Sequence, residues 1–201
     1  MPLIARIKNF VRARKQLWAP AEVKKALWDE EYFTGRWDHC ENTRDDPVYP
    51  VLATYSAHGS ILDLGCGQGN TGSELPAESY SNYTGVDVSE VAIQRARARA
   101  QASGRADKNS YSQADILAYT PSQKYDVILF RESLYYLPSG KIVPLLQRLS
   151  AALKPRGVFI ATFYSAKNSR KVIQQLENYL DVVENISTPS GAVILVLRSA
   201  A

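Results

Sequence analysis

Seven short apolar runs recur after residue 60, and no other feature constrains the fold of this chain as strongly. Helical segments at 90–102 and 141–153 separate some of these runs. Strands that alternate with helices form right-handed βαβ units, which predicts a mostly parallel α/β sheet with helices on both faces. The predicted strands are residues 61–64, 83–88, 110–114, 127–130, 158–163, 182–186 and 193–197.

The last two runs break this alternation. Only residues 188–191 separate them, whereas a parallel crossover needs about a dozen residues. We therefore predict that these two strands form an antiparallel hairpin at the C-terminal end of the sheet. A hairpin in this position is not the usual pattern of a dehydrogenase.

Residues 1–58 are predicted to form a helical extension, or lid, on a single α/β domain of residues 59–201. Apolar residues at helical spacing predict helices over 3–18, 20–33 and 48–58. The first helix is basic, and three interpretations of it stay open. It is a packing helix with a solvated face, a contact with anionic lipid or a partner, or a mobile tail.

The charge distribution favours a small or uncharged substrate over a nucleic acid. Five of the 24 basic residues lie in the first 18 residues, which hold no acid, and the remainder has 19 bases against 20 acids. Enzymes of nucleic acids more often carry basic residues across the whole body. No apolar run approaches the roughly 20 residues of a membrane span, and the first residues do not read as a secretory signal.

Cysteine usage predicts a reduced, cytoplasmic protein. Only Cys40 and Cys66 are present, too few for a disulfide framework. Neither belongs to a CxxC pair, and only His39 and His58 could add imidazole ligands. We therefore expect no metal site.

A glycine-rich segment follows the first predicted strand. Gly65, Gly67 and Gly69 permit backbone conformations that other residues avoid, and they let a ligand approach the main chain. A helix begins here, so its free N–H groups are predicted to face that ligand. Two other interpretations are a tight turn without a ligand and the dinucleotide fingerprint G-x-G-x-x-G, which residues 67–72 match.

The position of Asp63 helps to separate these interpretations. In the dinucleotide pattern the first glycine directly follows the strand, but here Gly65 and Cys66 intervene. Asp63 lies inside the strand, where a carboxylate is costly without a partner. A ligand with an ammonium or a sulfonium group supplies that partner, whereas a nicotinamide dinucleotide brings a negative pyrophosphate.

The order Asp-x-Gly-x-Gly-x-Gly at 63–69 resembles motif I of the class I methyltransferases that use S-adenosylmethionine (SAM). The resemblance covers about residues 60–198 and implies a Rossmann-like fold with SAM as cofactor. It implies that Asp87, at the end of the second strand, binds the ribose hydroxyls. It also implies that Asp115 and Ile116 hold the adenine, with Val88 packed against the ring.

Residues 131–137 are similar to the corresponding segment of small bacterial methyltransferases of the nodulation and sugar-modifying types. This likeness implies that methyl transfer takes place here, with Glu132 as a base or orienting group and Tyr135 in the pocket. A structural carboxylate is the alternative for Glu132, and a core position is the alternative for Tyr135. His39, in the lid, is a further candidate for reaching the site.

Lids of this family often place an aromatic and a basic residue over the methionine end of SAM. The predicted catalytic residues are Glu132 and Tyr135. The predicted cofactor-binding residues are Tyr32, Arg36, Trp37, Asp63, Gly65, Cys66, Gly67, Gly69, Asp87, Val88, Asp115, Ile116 and Arg131, the last in place of a small polar residue of the family pattern.

The sequence thus predicts a SAM-dependent methyltransferase for a small acceptor, in the first place a hydroxyl of a sugar or similar metabolite. N-methylation of a small amine or amino-sugar is the alternative. Two other classes stay open, a nicotinamide-dependent oxidoreductase and a SAM-binding protein without catalysis.

Overall fold

The computed structural model describes residue 12 and residues 16–38 and 42–199. Within these residues seven strands form one sheet. They are β1 (Ser60–Leu64), β2 (Asn82–Asp87), β3 (Asn109–Gln113), β4 (Tyr125–Arg131), β5 (Leu153–Phe163), β6 (Leu180–Ser187) and β7 (Val193–Ser199). The α-helices are α1 (Ala21–Phe33), α2 (Val48–Ser56), α3 (Asn70–Glu74), α4 (Glu90–Ala102), α5 (Ser139–Ser150) and α6 (Ala166–Tyr179).

The strand order is β3-β2-β1-β4-β5-β7-β6. The first five strands pair in parallel, and β7 pairs antiparallel with both β5 and β6. This confirms the predicted mostly parallel sheet and its C-terminal hairpin. The chain winds outward in opposite directions from β1 and β4, and ligands of such sheets bind beyond the carboxyl ends of the strands at this switch point.

A hydrophobic core covers each face of the central strands, because successive side chains of a strand point to opposite faces. Leu62 and Phe130 pack on one face with α5 and α6. Ile61 and Leu129 pack on the other face with α2 and α4. Since both faces of β1 and β4 are covered, a ligand reaches these strands only at their ends.

The predicted helix over 141–153 is three residues too long at its C-terminal end. In the structure α5 ends at Ser150, and β5 already begins at Leu153. Leu153 pairs with Tyr125, and the register then shifts so that Val158 pairs with Val127. The Pro-Arg-Gly sequence at 155–157 therefore lies at an irregularity inside β5.

Helix α6 is absent from the sequence prediction. The Ser165 hydroxyl accepts a hydrogen bond from the Asn168 amide at 3.4 Å and so caps its first turn. Val172, Leu176 and Tyr179 recur at helical spacing and pack on the core, so a periodic signal for this helix was present in the sequence and was missed.

The predicted helix over 48–58 ends two residues early, at Ser56. Ala57 and His58 adopt φ angles of 46° and 64°, which lie outside the range of a right-handed helix. His58 precedes the first residues of β1 and so lies at the amino end of the sheet, opposite the ligand-binding edge.

The predicted helix over 3–18 lies mostly outside the described residues. Of this segment the structure describes only Arg12 and residues 16–18, and they are helical. Its role stays a prediction, as does the division of the chain at residue 58. In the described part of the chain, no helix combines the length and the apolar character needed to cross a membrane.

Helix α1 is attached to the sheet through the N-terminus of α4. The Asp29 carboxylate accepts hydrogen bonds from the Ser89 hydroxyl at 2.7 Å and from the Val91 amide at 3.2 Å, and it pairs with Lys25 at 2.7 Å. Burial raises the pKa of Asp29, but these hydrogen bonds outweigh it and hold the pKa below its ordinary value. The attachment therefore depends on an ionised Asp29.

We expect Asp29→Ala to loosen α1 without unfolding the sheet. Loss of a carboxylate at a helix N-terminus costs about 1 kcal/mol, so amide exchange in α1 will accelerate about fivefold. Glu30→Ala, at an exposed position of the same helix, is the matched control. Equal exchange rates in the two variants would contradict this account of the attachment.

Candidate functional site

A cavity of about 790 Å³ opens beyond the carboxyl ends of β1, β2, β4 and β5. Thirteen of the fifteen site residues predicted from the sequence line it, and Arg36 and Gly69 do not. The structure thus brings together residues from four strands, their loops and α1. His39 lies outside the described residues.

The main-chain amides of the glycine loop donate within the protein. The Gly65 and Cys66 amides donate hydrogen bonds to the Val86 carbonyl at 2.8 and 3.0 Å. The Gly69 amide donates to the Cys66 carbonyl at 3.1 Å. The Gly67 amide donates to Asp87 Oδ2 at 2.9 Å. These four amides therefore fix the shape of the loop, and the prediction that free N–H groups of the following helix face a ligand stays a prediction.

The glycines of this loop adopt positive φ angles and leave space for neighbouring side chains. Gly65 and Gly67 have φ angles of 90° and 53°, which side chains rarely permit. A Cβ atom on Gly67 would lie 2.7 Å from the Tyr32 hydroxyl, and one on Gly65 would lie 2.5 Å from Ser133 Cβ. The loop, the lid and the segment after β4 are therefore in close contact around the cavity.

Asp63 is a buried carboxylate with one oxygen unused. Oδ2 accepts a short hydrogen bond from the Tyr83 hydroxyl, whereas Oδ1 has no hydrogen-bond partner among the described residues. Burial raises the pKa of Asp63 to about 6, although the Tyr83 hydroxyl, the nearby Arg131 and the Thr71 hydroxyl partly counter it. A cationic ligand in the cavity would supply the missing partner.

Asp87 lies at the end of β2 and is 8% exposed. Its Oδ1 accepts from the Ser89 amide at 2.9 Å, and its Oδ2 accepts from the Gly67 amide. Burial raises the pKa of Asp87 to about 6, against the effect of these amide donors. A carboxylate has about four acceptor sites, so both oxygens keep capacity for ligand hydroxyls.

Asp115 and Ile116 line the cavity beyond β3, and Val88 lines it beyond β2. Asp115 Oδ1 accepts from the Leu117 amide at 2.9 Å. Asp115 Oδ2 lies 4.0 Å from Nζ of Lys24, a buried residue of α1 that lines the same cavity. The sequence analysis missed Lys24, because no motif marks a single lysine on an amphipathic helix.

Arg131 lines the cavity but is held by protein groups. Its guanidinium pairs with Asp46 and donates to the Tyr49 hydroxyl at 3.1 Å and the Thr71 hydroxyl at 3.3 Å. The side chain thus anchors the loop before α2 to the end of β4. Its predicted contact with the cofactor stays a prediction.

Glu132 follows β4 in an unusual conformation, with a φ angle of 55°. Its Oε1 accepts from the Thr162 hydroxyl at 2.8 Å, and its Oε2 accepts from the Tyr135 hydroxyl and the Tyr164 amide, both at 2.9 Å. The carboxylate is therefore held at the cavity by three donors. Left-handed backbone at a non-glycine residue costs about 1–3 kcal/mol and is found preferentially at functional sites.

Aromatic side chains form one wall of the cavity. Ring centroids of Trp28 and Tyr136 lie 4.9 Å apart, those of Tyr136 and Tyr135 lie 4.6 Å apart, and those of Tyr135 and Tyr164 lie 6.2 Å apart. Trp37 lies 5.7 Å from Trp28. The sequence analysis did not predict Trp28 or Tyr164, although Tyr164 directly follows β5, at the edge where ligands bind.

Glu31 organises the lid behind this wall. Its Oε2 accepts from the Trp37 indole at 3.0 Å, and its Oε1 accepts from the Gln16 amide at 3.0 Å and pairs with Arg12. Arg95 of α4 donates to the Tyr32 carbonyl at 2.8 Å. The aromatic residues of the lid are therefore held in place by buried polar contacts.

Comparison with known proteins identifies the family. A family model described as a methyltransferase domain matches residues 56–193, more than half of the chain. The chain therefore belongs to the class I SAM-dependent methyltransferases, which confirms the resemblance seen in motif I.

Curated relatives carry several methyltransferase names. A trans-aconitate 2-methyltransferase of Paracidovorax citrulli strain AAC00-1 is 36% identical over 124 residues, which are 59% of this chain and 44% of the relative. A ubiquinone biosynthesis O-methyltransferase of Idiomarina loihiensis is 35% identical over 103 residues, 51% of this chain and 41% of the relative. The chain thus spans about half the length of the curated relatives it matches.

Solved structures confirm the fold. The N-methyltransferase NodS of Bradyrhizobium japonicum WM9, in complex with S-adenosylhomocysteine (SAH), superposes with a TM-score of 0.65 at 23% identity, covering 82% of this chain and 92% of NodS. The PH0226 protein of Pyrococcus horikoshii OT3 gives a TM-score of 0.68 at 19% identity, covering 78% of this chain and 90% of that one. At these identities the likeness shows the fold alone.

We expect Gly67→Ala to disturb the lid as well as the loop. Both Gly67→Ala and Gly104→Ala place a side chain at positive φ, which costs about 1–2 kcal/mol. Only Gly67 has a neighbour, Tyr32, within 4 Å of the added Cβ. Gly67→Ala will therefore shift the Tyr32 side chain and increase amide exchange in α1, whereas Gly104→Ala will only lower Tm. A lid unchanged in both variants would contradict the contact.

Proposed function

We propose that this chain transfers a methyl group from SAM to a hydroxyl of a small metabolite. The observation that carries the proposal is the buried, unpartnered Oδ1 of Asp63 beside the family's glycine loop. A carboxylate oxygen without a partner is costly in this position. A cationic cofactor offsets that cost, whereas a pyrophosphate would add to it.

The residues around the cavity fit SAM. Asp63, Asp87 and Asp115 would hold its cationic and polar groups, and Val88 and Ile116 provide apolar surface for its adenine. Asp87 is the proposed ribose ligand, in agreement with its remaining acceptor capacity. Tyr32 and Trp37 would cover the methionine end from the lid.

Bound SAM would supply a methyl group attached to a positively charged sulfur. The electrons of the broken C–S bond would stay with the sulfur while the acceptor oxygen bonds the methyl carbon. The protein must therefore align the acceptor and receive its proton, and alignment alone lowers such barriers by roughly 7–11 kcal/mol. Glu132 is the proposed base, since its carboxylate lines the cavity and is fixed by Thr162, Tyr135 and Tyr164.

Sugars and similar metabolites are the acceptors favoured by the resemblance of residues 131–137. We propose that the protein works in the cytoplasm on such small molecules and not on nucleic acid. The near balance of charge after residue 18 supports a small substrate, and the free buried thiol of Cys66 is typical of a reducing compartment.

We expect Glu132→Gln to lower kcat by about 10²–10⁴-fold, the usual contribution of a general base, and to leave the Kd for SAM unchanged. Release of SAH, measured over a panel of hydroxyl and amine acceptors, is the readout. Glu177→Gln on the exposed side of α6 is the matched control. Unchanged turnover in Glu132→Gln would remove Glu132 as the base.

The panel also tests the function as a whole. We expect wild-type protein to bind SAM and SAH in a calorimeter and to give no heat with NADH. Binding of NADH in place of SAM would contradict the proposal, and so would SAM binding without turnover of any acceptor class.

A further inference from the structure

Four aromatic side chains form a row along the cavity wall next to Glu132, with the Tyr135 hydroxyl bonded to its carboxylate. They are Trp28 from α1, Tyr135 and Tyr136 from the turn after β4, and Tyr164 from the end of β5, and we call them the aromatic platform. All four line the cavity. Their rings are in continuous contact from Trp28 to Tyr164, at centroid distances of 4.6–6.2 Å.

The platform is not a closed core. Trp28, Tyr135 and Tyr136 are only partly buried, and Tyr164 is 62% exposed. Elsewhere on α1, Phe33 is 81% exposed but does not line the cavity. Open aromatic surface that converges on a fixed carboxylate is a binding surface for a ring, because stacked or edge-to-face ring pairs add about 0.5–1.5 kcal/mol beyond area burial.

The Glu132 carboxylate has capacity for one more donor. A carboxylate has about four acceptor sites, and Thr162, Tyr135 and the Tyr164 amide occupy three of them. The free site is on Oε1, since Oε2 accepts two of these bonds. Oε1 is therefore the atom of Glu132 to which a ligand hydroxyl can donate.

We propose that the acceptor is a hydroxylated aromatic ring, which stacks on the platform and gives its phenolic proton to Glu132. This inference rests on the proposed methyl transfer to a hydroxyl, and it places that hydroxyl on an aromatic ring in place of the sugar that the resemblance favours. The phenolic proton passes to Oε1, the oxygen forms the new bond to the methyl carbon, and the electron pair of the broken C–S bond leaves with SAH.

The chemistry of the base favours a phenol over the other hydroxyls and over amines. A carboxylate is a weak base, so it assists the more acidic acceptor best, and a phenol with a pKa of about 10 is far more acidic than an aliphatic alcohol. An aliphatic sugar hydroxyl is a much weaker acid. An amine beside a carboxylate and aromatic faces is held as its cation, which has no lone pair for methyl transfer.

The test uses three probes on the SAH-saturated full chain, namely catechol, methyl α-glucoside and benzylamine. Affinity is measured by ligand-observed NMR titration. We expect catechol to bind, and Trp28→Ala and Tyr164→Ala each to weaken it about fivefold. Phe33→Ala, the matched control on the same helix as Trp28, will leave the affinity unchanged. Since Tyr164 is exposed, its variant retains the fold even if the Trp28 variant does not.

The outcomes distinguish a failure of the aromatic acceptor from a failure of the proposed methyltransferase function. Catechol that does not bind, or that binds equally to wild type and Tyr164→Ala, overturns the aromatic acceptor. Binding and SAM-dependent methylation of the glucoside or of benzylamine without catechol also overturns it but leaves the methyltransferase function intact. A wild-type chain that binds neither SAM nor SAH overturns both.

Discussion

The structure depends on two carboxylates removed from water at the carboxyl ends of neighbouring strands. Asp63 and Asp87 are nearly fully buried, and burial raises the pKa of each to about 6. Such groups destabilise a protein at neutral pH unless a positive charge or sufficient hydrogen bonds accompany them. Arg131 and the hydrogen bonds at the two carboxylates offset only part of this cost, and we propose that a cationic ligand offsets the rest.

The rest of the site is built around these two carboxylates. The loop amides fix the bend that carries Asp87, and the glycines leave space for the lid to approach. Arg131 stabilises the charge of Asp63 from the side and ties β4 to the loop before α2. The lid is joined to the same region through Asp29 and Arg95. The glycine loop, the lid and the aromatic wall of the cavity therefore form one connected unit.

Much of this could be predicted from local sequence. The mostly parallel sheet follows from the alternation of strands and helices, and the hairpin follows from the short 188–191 connection, whereas the strand order is known only from the structure. Asp63 and Asp87 are at strand ends that a motif marks. The sequence did not show where loop amides donate, since Asp87 bonds the Gly67 amide only after β1 and β2 pair. Trp28 and Lys24 reach the site through the docking of α1, which no local pattern encodes.

The most direct test is the proton balance of SAM binding at pH 6, from calorimetry in two buffers of different ionisation enthalpy. Burial raises the pKa of both carboxylates towards this pH in the free protein. If a cation binds beside them, their pKa values fall, and we expect net release of protons on SAM binding, smaller in Asp87→Asn. Binding with no proton release, or with proton uptake, would contradict this expectation.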